Sequence, residues 1–178
     1  MPETSQHTHL ELDLSDREAC NSAIRGLAAP VTTLIYAAMG TTATDADPSN
    51  GTAIDVGDEA GRALNSAMFS NLLDPLEETS TDLHVQLMQG RLAYGGWAVA
   101  PALFPSREDR PDKTPSWYFD QEDELRSRLD NQEHWRVTLW RPPAVIGHAT
   151  GGHLNVVAAL GAYAALRRAS AQATLTTP

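Results

Sequence analysis

The chain has 178 residues, a formal net charge of −10 and a hydrophobic content of 42%. That length suits one domain able to bury roughly 70% of its unfolded surface unaided, and a single cysteine, Cys20, excludes an intrachain disulfide and any cysteine-based zinc or iron–sulfur centre. No run of about 18 apolar residues is present, which excludes a transmembrane helix, and the acidic balance argues against nonspecific nucleic-acid binding.

The charge is uneven. Residues 1–82 hold 14 Asp/Glu against three Arg, whereas no Asp or Glu follows Glu133, and Arg136, Arg141, Arg167 and Arg168 do. Met1 to Leu14 carries Glu3, Glu11 and Asp13 without Lys or Arg, the wrong charge for a signal peptide. With one thiol, a reducing, cytoplasmic setting is expected. Cys20, among Ala19, Ala23 and Ile24, reads as a small buried apolar side chain.

Residues 1–7 are expected to fray, 8–170 to form one globular domain and 171–178 to be disordered. Thr8 to Leu14 alternates, with Leu10, Leu12 and Leu14 on one side, and predicts a half-buried strand. Ser15-Asp16-Arg17-Glu18 reads as a capping box opening a helix. Ile24, Leu27, Val31, Leu34, Ile35 and Ala38 fall at helical spacing; Pro30 interrupts them, so the run is a kinked helix or a helix followed by a strand over Val31 to Tyr36. Thr41 to Thr52 is turn-rich, and Asp45 opens a calcium-loop look-alike whose positions six and twelve hold Asn50 and Val56, so the register fails. Asp55 is a candidate cap for a helix striped by Ala60, Ala63, Leu64, Ala67, Met68 and Leu72 and stopped by Asp74-Pro75. Leu83, Val85 and Leu87 alternate, and a turn at Gln89-Gly90 suggests a hairpin with Leu92 to Ala100. Pro101 to Pro115 reads as a surface loop or a hinge, Asp120 to Leu129 as an exposed helix and Trp135 to Trp140 as a strand. A last helix runs from about His153 to Ala169. The sum is a helix-dominated α+β fold, about four helices on a small, mostly antiparallel sheet, with an all-α bundle as the alternative.

Candidate chemistry is sparse. Gly147 to His153 is a glycine-rich loop opening a helix, where free N–H groups favour an anion. Arg136, Arg141, His148, Thr150, Gly151, Gly152 and His153 form the candidate anion site, although the loop matches neither a P-loop nor GxGxxG. His134, His148 and His153 are weak metal candidates, since His148 and His153 are five apart and no HExxH occurs. The pairs Asp58/Glu59 and Glu77/Glu78 and the Glu122 to Glu124 run read as solvated acids favoured at helix starts. Trp97, Trp117, Tyr118, Trp135 and Trp140 are candidates for a protein interface or for core anchors.

No catalytic triad, nucleophile elbow or dinucleotide fingerprint stands out, and no cofactor is indicated. The leading expectation is a noncatalytic interaction or assembly protein that associates with itself or another protein and touches neither membrane nor nucleic acid. It rests on the charge polarity and the spare aromatics. The alternative is a small-molecule anion-binding protein or enzyme using the 147–153 loop with Arg136 and Arg141; a weaker one is a histidine-ligated metalloenzyme.

Overall fold

A computed structural model describes residues 9–41, 58–94, 107, 115–142, 145–146 and 156–175. The chain divides into two units, Met1–Arg141 and Pro142–Pro178, each taken by itself.

The first unit opens irregularly. Residues 9–14 form no strand: Leu12 and Leu14 pack against the core, but Leu10 is exposed and the chain turns at Leu14 and Ser15. The alternating pattern specifies which side chains face inward, and among the described residues no neighbouring strand supplies a ladder. Helix α1 (Arg17–Arg25) is capped by Asp16, whose carboxylate accepts the Ala19 N–H at 3.0 Å. The expected Ser15 cap is corrected: Ser15 N–H and Oγ both donate to the Asp13 carboxylate, at 2.9 and 2.7 Å, and these bonds lower the Asp13 pKa. The helix stops at Gly26, and the run after Pro30 becomes strand β1 (Thr33–Tyr36), so the strand alternative holds.

Helix α2 (Glu59–Thr79) is capped by Asp58, which accepts the Gly61 N–H at 2.7 Å; Asp55 lies outside the described residues. The predicted stop at Asp74-Pro75 is also corrected. Proline in a helix interior costs about 3 kcal/mol, yet the extra turn buries Pro75 and Leu76, and Thr79 Oγ1 donates to the Pro75 carbonyl at 2.7 Å. Strand β2 (His84–Met88), a 3-10 turn (Arg91–Tyr94), helix α3 (Trp117–Leu129) and strand β3 (Arg136–Trp140) follow. Ser116 caps α3 by accepting the Tyr118 N–H at 3.2 Å. Far from being exposed throughout, α3 buries Trp117, Gln121, Glu122 and Leu125.

The three strands form one sheet in the order β1-β2-β3, and both pairings are parallel. The expectation of a mostly antiparallel sheet is therefore wrong, as is the all-α alternative. The reason lies in the connections: a helix sits between each pair of consecutive strands, and a helical crossover returns the chain to the same end of the sheet. The expected hairpin fails for a related reason. Both edges of β2 are taken by β1 and β3, and residues 91–94 coil into the 3-10 turn.

In register, Leu34–Val85–Val137 and Tyr36–Leu87–Leu139 cross the sheet in rows on one face. Val85 and Leu87 have no exposed surface, and against this face pack Cys20 of α1, Phe69, Leu72, Leu73 and Leu76 of α2, Leu125 of α3 and Trp135. The opposite face leaves Ile35 and Trp140 exposed. An ion-pair knot fastens α3 to α2, with Arg128 reaching Asp74, Glu77 and Glu124 at 2.6, 2.6 and 2.7 Å.

In the second unit, helix α4 (Val156–Leu175) runs past Ala169, the end expected from the sequence. Its residues 157–170 are exposed, including Val157, Leu160, Tyr163 and Leu166. Among the described residues, no helix is long and apolar enough to cross a membrane.

One core feature makes stability depend on pH. Tyr36 stacks at a tilt on Phe69, with ring centroids 4.7 Å apart, and its buried hydroxyl has no hydrogen-bond partner. Burial pushes its pKa up to about 12, helped by the nearby Cys20 and Glu124. A pKa raised in the folded state means stability that is full below pH 10, the ordinary value, and lost as pH climbs toward 12. Tyr36→Phe removes an unsatisfied buried hydroxyl, an unfavourable group worth about 1–3 kcal/mol. Urea unfolding at pH 8 is expected to show the variant as stable as the parent or more so, with a shallower decline above pH 10.

Candidate active site at the carboxyl edge of the sheet

Parallel strands present their carboxyl ends to one side, where ligands of open α/β sheets bind. Here that edge is built from Ala37 to Gly40 after β1, Gln89 and Gly90 after β2, and Arg141 after β3. The first turns of α2 and α3 adjoin it, with a Cβ built on Gly61 lying 3.9 Å from Trp117 Cζ3.

Asn65 of α2 holds the first of these segments. Its Oδ1 accepts the Gly40 N–H at 2.8 Å, and its Nδ2 donates to the Gly40 and Gly61 carbonyls at 3.0 and 2.8 Å. Gln121 of α3 donates to the Asn65 carbonyl at 3.2 Å. Gly40 fits closely there, because a Cβ would lie 2.7 Å from Met68 Sδ and 2.8 Å from a Leu64 methyl. A bidentate pair, Arg62 to Asp120 at 2.9 and 2.7 Å, joins α2 to α3 beside this turn.

The second and third segments are tied through Gln89. Its backbone N–H donates to the Trp140 carbonyl at 2.8 Å, its Oε1 accepts from Arg141 Nε at 3.0 Å, and its Nε2 donates to the Tyr118 carbonyl at 3.0 Å. Arg141 also pairs with Glu122, both side chains being 7% exposed, and its guanidinium lies 5.5 Å from the Tyr94 ring centroid. A buried carboxylate and guanidinium so paired hold their geometry firmly, since neither partner tolerates being left alone.

Tyr118 stands among these groups. Its ring meets Trp117 edge-on at 5.8 Å, and its hydroxyl lies 3.4 Å from where a Gly90 Cβ would sit. That hydroxyl makes no hydrogen bond among the described residues. Burial raises its pKa above the ordinary tyrosine value, so the phenol keeps its proton at neutral pH. The site thus offers a neutral O–H donor beside a glycine.

The candidates from the sequence are largely dispersed. Arg136 begins β3 and Arg141 follows its end, about 16 Å along the strand; Arg136 pairs with Asp82 at 3.0 Å on the surface. His148, Thr150, Gly151, Gly152 and His153 lie outside the described residues. His134 is exposed before β3, and among the described residues no three His, Cys, Asp or Glu gather for a metal. Trp97 also lies outside, while Trp117 and Trp135 are core residues, Trp135 donating to the Ser80 carbonyl at 3.1 Å. Trp140 is half exposed and donates to Gln86 at 3.0 Å. A cleft of about 300 Å³ between α1 and α2 has its charges paired across it, Arg17 with Asp74 and Arg25 with Glu78. Sequence reasoning missed Asn65, Gln89 and Glu122. The signal for Gln89 was a polar residue and a glycine directly after a strand, which marks a site once the sheet is known to be parallel.

No family model matches the chain. Two curated relatives are (S)-8-oxocitronellyl enol synthases from Nepeta racemosa. ISY2 is 29% identical over 116 residues, covering 61% of this chain and 29% of its own length. ISY1 is 29% identical over 108 residues, covering 57% and 28%. The chain thus spans less than a third of these relatives. Among solved structures, RMD from Pseudomonas aeruginosa, determined in complex with NADPH, matches with a TM-score of 0.50 at 20% identity, over 75% of this chain and 41% of that one. A looser likeness, TM-score 0.43 at 13% identity, is to a short-chain dehydrogenase/reductase from Vibrio parahaemolyticus, over 73% and 57%.

The likeness to RMD shows the fold, an open parallel α/β sheet. Relatives that are enzymes by name overturn the expectation of a noncatalytic assembly protein and favour the enzyme alternative.

The clamp at Gly40 is testable. Asn65→Asp keeps the shape and the acceptor but turns a carboxylate oxygen toward two carbonyls. Unsatisfied buried groups cost about 1–3 kcal/mol each, so urea unfolding is expected to show a loss of that order or larger at pH 8. The loss is expected to shrink at pH 5, where protonation restores a donor.

Proposed function

We propose that the chain carries the catalytic edge of an oxidoreductase-type enzyme that acts on a small carbonyl compound, with Tyr118 as its proton donor. The carrying observation is the Tyr118 hydroxyl: protonated at neutral pH, unbonded among the described residues, and set against Gly90 at the carboxyl edge of a parallel sheet. Support for the reaction class comes from the enol synthase names of the relatives and from the NADPH complex of the fold neighbour. A cytoplasmic location belongs to the same proposal, in keeping with the single buried thiol of Cys20.

The described residues fit one end of such a dinucleotide. Gly90 has no side chain where the Tyr118 hydroxyl approaches, as the uncharged ring end needs, whereas Arg62 and Arg141 are occupied by Asp120 and Glu122 and do not provide for phosphates. When bound, a reduced nicotinamide supplies hydride. The work of this chain is to seat a carbonyl oxygen within hydrogen-bond reach of Tyr118 Oη and to hand it the phenolic proton as negative charge develops. A phenol whose pKa is raised stays protonated until that charge appears, and an enolate or alkoxide oxygen is basic enough to take its proton. Gly90 leaves the approach to the hydroxyl open.

The experiment is an absorbance assay of NADPH and NADH oxidation by the purified chain over a panel of small aldehydes, enals and enones. Carbonyl-dependent turnover is expected, falling about 10²- to 10⁴-fold in Tyr118→Phe, the usual worth of a general acid. Turnover unchanged in Tyr118→Phe, or absent across the whole panel, overturns the proposal.

A further inference from the structure

We propose that Gln89, itself held by Arg141, is a positioning residue for Tyr118. It pins the first turn of α3 to the end of β2, so that the phenol stays against Gly90.

The argument is geometric. Gln89 is 8% exposed, and both ends of its amide are used, one by Arg141 Nε and one by the Tyr118 carbonyl. Inside a helix, a carbonyl already serves the N–H four residues on and has a second lone pair to offer. The Tyr118 carbonyl offers it to Gln89. Arg141 fixes which way the Gln89 amide faces, because its N–H requires an oxygen, and this leaves the NH₂ for Tyr118. Glu122, one turn beyond Tyr118 on the same helix, holds the other side of the guanidinium. A closed ring results, from Tyr118 to Gln89 to Arg141 to Glu122 and back along α3, and it joins the ends of β2 and β3 to one helical turn. The charged groups about that turn are Glu122 with its partners Arg141 and Arg126, and the Arg62–Asp120 pair. The catalytic importance of this ring rests on the function proposed above; the positioning itself does not.

The test uses the full chain with Gln89→Leu and Gln89→Glu. The first removes both hydrogen bonds. The second keeps the size and the acceptor for Arg141 but turns an oxygen toward the Tyr118 carbonyl. Tyrosine ring carbons labelled for NMR report each phenol's titration, assigned with Tyr118→Phe and Tyr36→Phe. In both variants the Tyr118 midpoint is expected to fall toward the ordinary tyrosine value as the turn loosens and water reaches the ring, while Tyr36 stays high. Under the proposed function, kcat falls at least tenfold with KM changed less than threefold. A Tyr118 midpoint that stays put in a variant whose Tyr36 remains raised, and which is therefore folded, overturns the positioning role. Loss of the raised Tyr36 midpoint in both variants also overturns it, since Gln89 would then support the fold as a whole. A shifted Tyr118 midpoint with no effect of Tyr118→Phe on turnover leaves the positioning standing and removes the catalytic reading.

Discussion

Val85 and Leu87 have no exposed surface, and the architecture of the first unit follows from covering them. They lie on the central strand, flanked in register by Leu34 and Tyr36 on one side and Val137 and Leu139 on the other. A sheet face so apolar needs a lid, and α2 provides most of it with Phe69, Leu72, Leu73 and Leu76. Truncating a buried leucine of this kind costs about 2–5 kcal/mol, a large share of a typical domain's 5–15 kcal/mol. The polar groups at the rim then have fixed elements to work from. Asn65 and Arg62 project from α2 and Arg128 from α3, and they tie α2 to neighbours that the core has already placed.

This division of labour explains why the candidate site lies where it does. Hydrophobic contact fixes the strands and helices without direction, whereas the carboxyl edge needs direction. There the chain uses amides and charge pairs whose geometry is specific: Asn65 on Gly40, Gln89 between Arg141 and Tyr118, and Glu122 on Arg141. Each is largely shielded from water, so each contributes more to orientation than a surface pair would. The phenol of Tyr118 is left unbonded among the described residues, and its neighbours fix its place without consuming its proton.

Much of the fold was legible in the sequence. A helical stripe located α2, the order of acids before Arg126 and Arg128 located the latter part of α3, and alternation located β2 and β3. What periodicity cannot show is which strand lies beside which. The Leu10, Leu12 and Leu14 pattern is as regular as that of β2, yet it forms no strand, because burial of one side is necessary for a strand and a ladder partner is decisive. The antiparallel expectation failed at the same step, since Gln89-Gly90 resembles a hairpin turn until α3 is seen to bring the chain back to the same end. The site was less legible still. Glu122 sits in an acidic run that looks solvated, and its burial depends on an arginine 19 residues away in sequence. In the sequence Tyr118 is one aromatic among several, because the edge its hydroxyl faces exists only in three dimensions.

Cys20 is the sole thiol of the chain and lies wholly out of reach of solvent. Its sulfur sits against the Asp13 and Leu14 carbonyls, at 3.6 and 3.7 Å, and burial raises its pKa, which suppresses the reactive thiolate further. An alkylating reagent meets this sulfur only when the packing around Cys20 opens. The protein therefore contains an intrinsic clock for its own opening: the rate at which the thiol is consumed counts openings of the core around Cys20, with no dye, tag or engineered side chain required.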